Sequence, residues 1–332
     1  MGGACIGVDL GGTKVFGALV SPDGSLDQET YLEHAGATVT GAFRNGPAPR
    51  ASLRDPSEEE RAAGPAYAAL VEVIKRLLET ARGRGQSVTG VAIGAPGTCR
   101  PDGTVILAGA LGWRDVPLGR LLERRLGLPC AIENDVNLAA LGECAFGAAR
   151  GAKSAFVLAV GTGIGGAVVL EGRLWRGARL AAGEIGTMIP ARELLGRDGR
   201  DWGALEAIAS GTGIADEARA EAARRGIALT DEAARAESVV AAAEAGEAWA
   251  RDVVERTLDH WALAVAAVEA ILDPEVVVLA GGATRGIRDL VPRLEARLAT
   301  AVPVLPRLVP STLGYRAAIL GAPVLLGAAA PA

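Results

Sequence analysis

Two glycine-rich turns constrain this chain more than any other feature. Asp9-Leu10-Gly11-Gly12-Thr13-Lys14 lies between apolar runs at 6–9 and 15–20. Gly161-Thr162-Gly163-Ile164-Gly165-Gly166 lies about half the chain further on, between apolar runs at 156–160 and 167–170. The flanking runs read as strands, so each turn joins two of them. Glycine accepts positive φ and lets peptide N–H groups come close to a ligand, so such turns can hold phosphate oxygens. A single one could be an ordinary hairpin. Two in matching positions imply a duplicated unit with a nucleotide held between the halves.

The length of 332 residues fits two domains, and 50% hydrophobic residues is ample for their cores. Aromatics are few, so the cores must be built from Ala, Val, Leu and Ile. The formal net charge is -5, with no basic stripe. That argues against nucleic acid as a partner, because such affinity rests on neutralising phosphates. The longest uncharged apolar stretch, 156–170, is too short for a membrane span and is broken by glycines. The N-terminus has no signal-peptide pattern, and Ile6 stands where a myristoylation signal needs Ser or Thr. Cys5, Cys99, Cys130 and Cys144 are scattered with no CxxC pair, which fits reduced thiols of a cytoplasmic protein.

Along the chain, strands at the N-terminus are followed by a polar stretch over 35–56 that reads as a loop or flap. Ser57-Glu58-Glu59-Glu60 has a capping-box pattern opening a helix that runs through Leu70, Val73, Ile74 and Leu77. A buried strand at 88–93 ends at Gly94-Ala95-Pro96-Gly97, and a short strand at 129–132 delivers Glu133-Asn134-Asp135. Two long helices are expected over 238–272, an all-apolar strand over 276–279 running into Gly281-Gly282, and a last helix over 317–326. The expected division is a small N-terminal α/β domain at 1–117, to which 315–330 returns, and a larger α/β domain at 118–314. A hinge is expected near 115–137.

Gly161, Gly163 and Gly166 satisfy GxGxxG, but a Rossmann site needs those glycines to open a helix. Here they lead into the β-branched run Ala167-Val168-Val169-Leu170, which excludes that reading. Lys14 lacks the Walker A spacing. Taken alone, Asn134-Asp135 is equally a turn and helix cap, Asp9 a turn aspartate, and Glu184 or Glu206 a solvated surface residue. Trp113 reads as packing, and His34 and His260 as structural.

The run Ile6-Gly7-Val8-Asp9-Leu10-Gly11-Gly12-Thr13-Lys14 resembles the first phosphate loop of the actin/hexokinase/Hsp70 ATPase superfamily. Within it the chain is most similar to the ROK group of bacterial sugar kinases and repressors. Five further segments agree in family order: Gly94-Ala95-Pro96-Gly97, Glu133-Asn134-Asp135, the 161–166 turn, Ala182-Gly183-Glu184-Ile185-Gly186, and the 273–282 strand and turn.

The resemblance implies a two-domain α/β fold of the actin-like, ribonuclease H-like kind, with a cleft between duplicated lobes. It implies ATP and Mg²⁺ as cofactors, with Asp9 holding Mg²⁺ through water. Gly11, Gly12, Thr13, Lys14, Gly161, Thr162, Gly163 and Gly165 would cradle the phosphates, and Gly281 and Gly282 would lie beside the adenosine. Asp135 would be the general base for a sugar hydroxyl. Asn134, Asp135, Glu184, Thr187, Glu206 and Gly97 would surround the sugar, Glu184 and Glu206 standing 22 residues apart as in the family. A homodimer is expected.

The departures matter as much. The family carries a histidine after the first glutamate and a CxCGxxGC run before the second, which together bind a structural zinc. Here the aligned positions are Thr187, Arg197, Gly199 and Ala204, so no zinc is expected. The loop at 194–201 would then be held by ion pairs or Trp202. Ala110 replaces a family asparagine near the sugar. Glucose therefore stands against an amino hexose such as kanosamine, an N-acetylated sugar, or a C7 cyclitol. The rivals are a sugar-responsive repressor, for whose N-terminal winged helix the first strand leaves no room, and a catalytically dead sensor, which would lack Asp135.

Overall fold

The structure is a computed structural model and describes residues 3–34, 56–196 and 203–328. The expected flap and most of the 194–202 loop, with Arg197, Gly199 and Trp202, lie outside the described residues. The chain divides into two compact units, one comprising residues up to 151 with 177–181 and 315 onward, the other 152–176 with 182–314.

The first unit opens with an antiparallel meander: Ala4–Leu10 (β1), Lys14–Val20 (β2) and Leu26–Glu33 (β3). Strand β1 is apolar along almost its whole length because it is central and covered on both faces. Strand β3 is an edge, and Asp27, Gln28 and Glu29 expose charge and polarity there, which discourages further strand addition. Helices Pro56–Ala62 (α1) and Gly64–Gly83 (α2) replace the single helix expected. Gly64 takes φ +68, and Pro65, with no N–H to donate, suits the first turn of a new helix. The buried face of α2, with Leu70, Val73, Ile74 and Leu77, packs in one core with Ile6, Val8 and Val15.

Strand Val88–Ala95 (β4) then pairs parallel with β1. A small antiparallel sheet follows from Thr98–Cys99 (β5), Val105–Ala108 (β6) and Trp113–Val116 (β7). Trp113 is buried, and its indole donates to the Ala63 carbonyl at 2.9 Å, so it belongs to the core. Helix Leu118–Leu126 (α3) leads to Cys130–Asn134 (β8), which pairs parallel with β4 and passes directly into Asp135–Phe146 (α4). This pairing corrects the boundary expected at 117. Because β8 is hydrogen-bonded into the first sheet, 118–151 group with the first unit, and the chain first passes to the second unit after 151.

The second unit repeats the plan. Ala155–Val160 (β9), Ile164–Leu170 (β10) and Arg173–Trp175 (β11) form the meander. Helices Ala204–Ala209 (α5), Gly211–Arg224 (α6), Ala236–Glu244 (α7) and Ala248–Leu272 (α8) precede Val276–Ala280 (β12), which pairs parallel with β9. Leu290–Leu298 (α9) then leads to Leu308–Pro310 (β13), parallel to β12. The first sheet is ordered β3-β2-β1-β4-β8 and the second β11-β10-β9-β12-β13. Order and strand directions are the same in both, which is the duplication that the paired glycine turns imply. Phe156, Leu158, Leu258, Trp261 and Leu279 are central to the second core.

The C-terminal segment belongs to the first unit. It forms two short helices, Ala317–Leu320 (α10) and Ala322–Leu325 (α11), where one helix is expected. Pro323 falls in the first turn of the second, where its missing N–H costs no ladder bond. Helices α10 and α4 cross closely enough that a Cβ at Gly142 would strike the Ala317 carbonyl and one at Gly321 the Leu138 carbonyl.

Candidate active site

In the first unit the register places Asp9, Gly94 and Glu133 in one row across β1, β4 and β8. This row lies near the carboxyl ends of three parallel strands, where open α/β sheets bind ligands. Gly94 leaves room for α4, since a Cβ there would lie 3.2 Å from the Asp135 Cα. Asp9 and Asp135 therefore sit as near neighbours above the sheet.

Burial and the neighbouring Asp135 carboxylate raise the Asp9 pKa to about 7, against the opposing pull of Lys14. Burial also raises Asp135, to about 6, although its Oδ1 accepts the Val136 N–H at 2.9 Å. Two adjacent, desolvated carboxylates are a poor arrangement for stability and a good one for a hard cation and a proton acceptor.

Asn134 has a double role. Its Oδ1 caps α4 by accepting the Asn137 N–H at 3.0 Å, and its Nδ2 donates to the Gly97 carbonyl at 3.0 Å. The same side chain also hydrogen-bonds the Asp135 carboxylate, which holds the Asp135 pKa down against burial. Gly97 adopts φ +83, and a Cβ there would strike the Leu107 carbonyl, so only glycine fits. The helix-cap reading and the ligand reading of Asn134-Asp135 are compatible in one structure.

The first glycine turn leaves β1 beside this row. Gly11 donates to the Lys14 carbonyl at 2.8 Å, and Thr13 and Lys14 are exposed. The Ala110 turn flanks it, with the Ala110 Cβ 3.0 Å from where a Gly12 Cβ would stand.

In the second unit, Gly161, Thr162 and Gly163 form the β9–β10 turn, closed by Gly161 N–H to the Gly163 carbonyl at 2.9 Å. Gly165 follows within β10. Gly281 ends β12 at φ +96, where a Cβ would strike the Val160 backbone, and Gly282 starts the next turn. Glu206, in α5, does more than face a ligand: its Oε2 accepts the Ile164 N–H at 2.7 Å. Burial raises the Glu206 pKa while that bond lowers it. Glu184 is exposed at the start of the 185–187 turn, where the Thr187 hydroxyl donates to its carbonyl at 2.7 Å. A Cβ at Gly186 would strike the Ile164 carbonyl and stand 3.4 Å from the Glu206 Cβ, so the absence of a side chain lets this turn pack there. Glu184, Thr187 and Glu206 thus gather beside the second glycine turn.

Several participants escape sequence reasoning. Buried Glu133 accepts from the Asn134 N–H at 3.0 Å and the Asn137 side chain at 2.9 Å, fixing the peptide that carries Asp135. A glutamate beside Ile132 in a buried strand was the available signal. Ser210 caps α6, whose first residues, Gly211 and Thr212, donate to the carbonyls of Gly161 and Thr162. His34, expected only as structural, places its ring Nε2 3.0 Å from the Gly11 carbonyl.

Asp9 and Asp135 present hard oxygens that suit Mg²⁺, which keeps water and phosphate as its other ligands. The amides of the two glycine turns suit phosphate oxygens. Among the described residues no group of three or more His, Cys, Asp or Glu is placed to hold a metal, and no helix is long and apolar enough to cross a membrane.

Comparison with known proteins agrees with this geometry. The ROK family model matches residues 52–328. Glucokinase of Halalkalibacterium halodurans is 30% identical over 335 aligned positions, covering 95% of this chain and 92% of that protein. The crystal structure of the ROK hexokinase of Thermus thermophilus is 28% identical, with a TM-score of 0.70 over 96% of each chain. A ROK family transcriptional regulator, a homologue of the E. coli MLC protein, shares the fold at 22% identity, with a TM-score of 0.76 over 98% of this chain and 78% of its own. Two copies of one sheet, two glycine turns and a family match over most of the chain lead to one conclusion: this chain belongs to the ROK family.

Proposed function

We propose that this protein is a sugar kinase that transfers the γ-phosphoryl group of Mg-ATP to a primary hydroxyl of a hexose or hexose-like ring. The observation that carries the proposal is Asp135, a desolvated carboxylate at the carboxyl end of the β1-β4-β8 row, beside Asp9 and with its pKa raised to about 6. A sugar hydroxyl is a weak nucleophile. As its oxygen bonds to the γ-phosphorus and the bond to the β-phosphate oxygen breaks, its proton passes to Asp135, and ADP leaves. Mg²⁺ held at Asp9 would neutralise phosphate charge.

Asn134, Glu184 and Glu206 hold the sugar hydroxyls in this scheme, while the glycine turns bind the nucleotide. Thr187 is shorter than the family histidine, and Ala110 shorter than the family asparagine, so substitution at these two positions favours a sugar bulkier than or different from glucose. An amino hexose or a C7 cyclitol is therefore as strong a candidate as glucose. We propose a cytoplasmic homodimer as the active form. Its four cysteines are free thiols, each held well above the usual thiol range by burial and so poorly reactive.

The test is an ADP-release screen over hexoses, amino hexoses and cyclitols with Mg-ATP. Turnover on at least one sugar supports the proposal and names the substrate. Sugar binding without any ADP release assigns the chain to sensing instead.

A further inference from the structure

The two glycine turns are tied down from behind by different means. In the second unit the start of α6 does it: Gly211 N–H donates to the Gly161 carbonyl at 2.8 Å, and Thr212 donates to the Thr162 carbonyl from its N–H at 3.3 Å and its hydroxyl at 3.0 Å. Both turns are followed by strands, but among the described residues no helix start donates to the carbonyls of the first. His34, just past β3, occupies that role. Its backbone N–H donates to the Thr13 carbonyl at 2.8 Å, and its ring Nε2 lies 3.0 Å from the Gly11 carbonyl. A carbonyl only accepts, so Nε2 carries the hydrogen.

The consequence follows from peptide geometry. In a trans peptide the C=O and the next N–H point opposite ways. Holding the Gly11 carbonyl toward His34 therefore turns the Gly12 N–H away from it. Gly11 N–H is used within the turn, and no described residue accepts from the Gly12 or Thr13 N–H groups. Two adjacent glycines are otherwise free to rotate, and a turn fixed beforehand loses less entropy when a ligand binds.

We propose that His34 is a positioning residue for the nucleotide: through the Gly11 carbonyl it holds the first glycine turn with its free amides presented to phosphate. This rests on the nucleotide-binding part of the proposed function. The test is titration of the full chain and its variants with a non-hydrolysable β,γ-imido ATP analogue and Mg²⁺. Sugar binding and thermal stability are measured beside it.

His34→Ala weakens analogue binding about three- to tenfold, the scale of one net hydrogen bond, and leaves sugar affinity unchanged. His34→Gln, whose amide can reach the same carbonyl, recovers most of the loss. The proposal is overturned if His34→Ala binds the analogue like the parent, if Gln does no better than Ala, or if sugar affinity falls in parallel. A parent chain that binds the analogue yet phosphorylates no sugar refutes the kinase reading alone. One that binds no nucleotide refutes both.

Discussion

Replacing Asp9 by asparagine should make the ligand-free protein more stable while disabling it. Burial, with Asp135 beside it, raises the Asp9 pKa from 3.8 to about 7. The folded chain therefore holds this proton more tightly than the unfolded chain. Its contribution is fully favourable below the unfolded value and is lost as pH rises toward the folded one. A shift of about three units at 1.36 kcal/mol each sets an upper bound of about 4 kcal/mol for keeping Asp9 ionised in the folded state. Asparagine is nearly isosteric with the neutral acid and escapes that cost. Urea unfolding with EDTA at pH 5 and pH 8 measures the effect, read on the transition of the first unit because two units need not unfold together. The advantage of the variant should widen by about 2 to 3 kcal/mol between those pH values. In Mg²⁺ and nucleotide the order reverses, because the variant gains no ligand stabilisation. An advantage that is independent of pH, or a variant less stable than the parent at pH 8, would refute the electrostatic account of this site.

Other outcomes follow from the same geometry. With Asp135 raised to about 6, kcat/KM should fall tenfold per pH unit below about pH 6, and a rate flat down to pH 5 would contradict the assignment. Gly163→Ala sets a Cβ against the Glu206 carboxylate, so the KM for ATP should rise about tenfold, and Glu206→Ala in the same chain should relieve part of that rise. Glu133→Ala leaves the buried Asn137 amide without its acceptor. It should cost about 1–3 kcal/mol of stability and lower kcat more than it changes KM. Glu133→Gln, which keeps an acceptor oxygen, should retain most of both, and equal losses in the two variants would show that charge rather than hydrogen bonding matters there.

Much of the framework was legible in the sequence because backbone demands leave residue signatures. Glycine turns between β-branched runs marked β1–β2 and β9–β10, and the all-apolar Val276-Val277-Val278-Leu279 marked a central parallel strand. Pairing between distant strands leaves no such signature. Nothing in Cys130-Ala131-Ile132 says which sheet it joins, so the boundary expected at 117 moved to 151 once β8 was found beside β4. Helix breaks were also missed where one residue decided them, as Gly64 does between α1 and α2. In the site, residue types pointed to Asp9, Asp135 and Glu206, but types do not show direction. That Glu206 grips the Ile164 amide, that Asn134 straps Gly97 and that His34 reaches the Gly11 carbonyl are facts of tertiary placement.

The most direct test of the central claim is the turnover number of Asp135→Asn at saturating Mg-ATP and the best sugar from the screen. Without a carboxylate to accept the hydroxyl proton, kcat should fall about 10²- to 10⁴-fold while the binding of sugar and nucleotide stays near that of the parent. A variant that turns over at the parent rate would show that Asp135 is not the base.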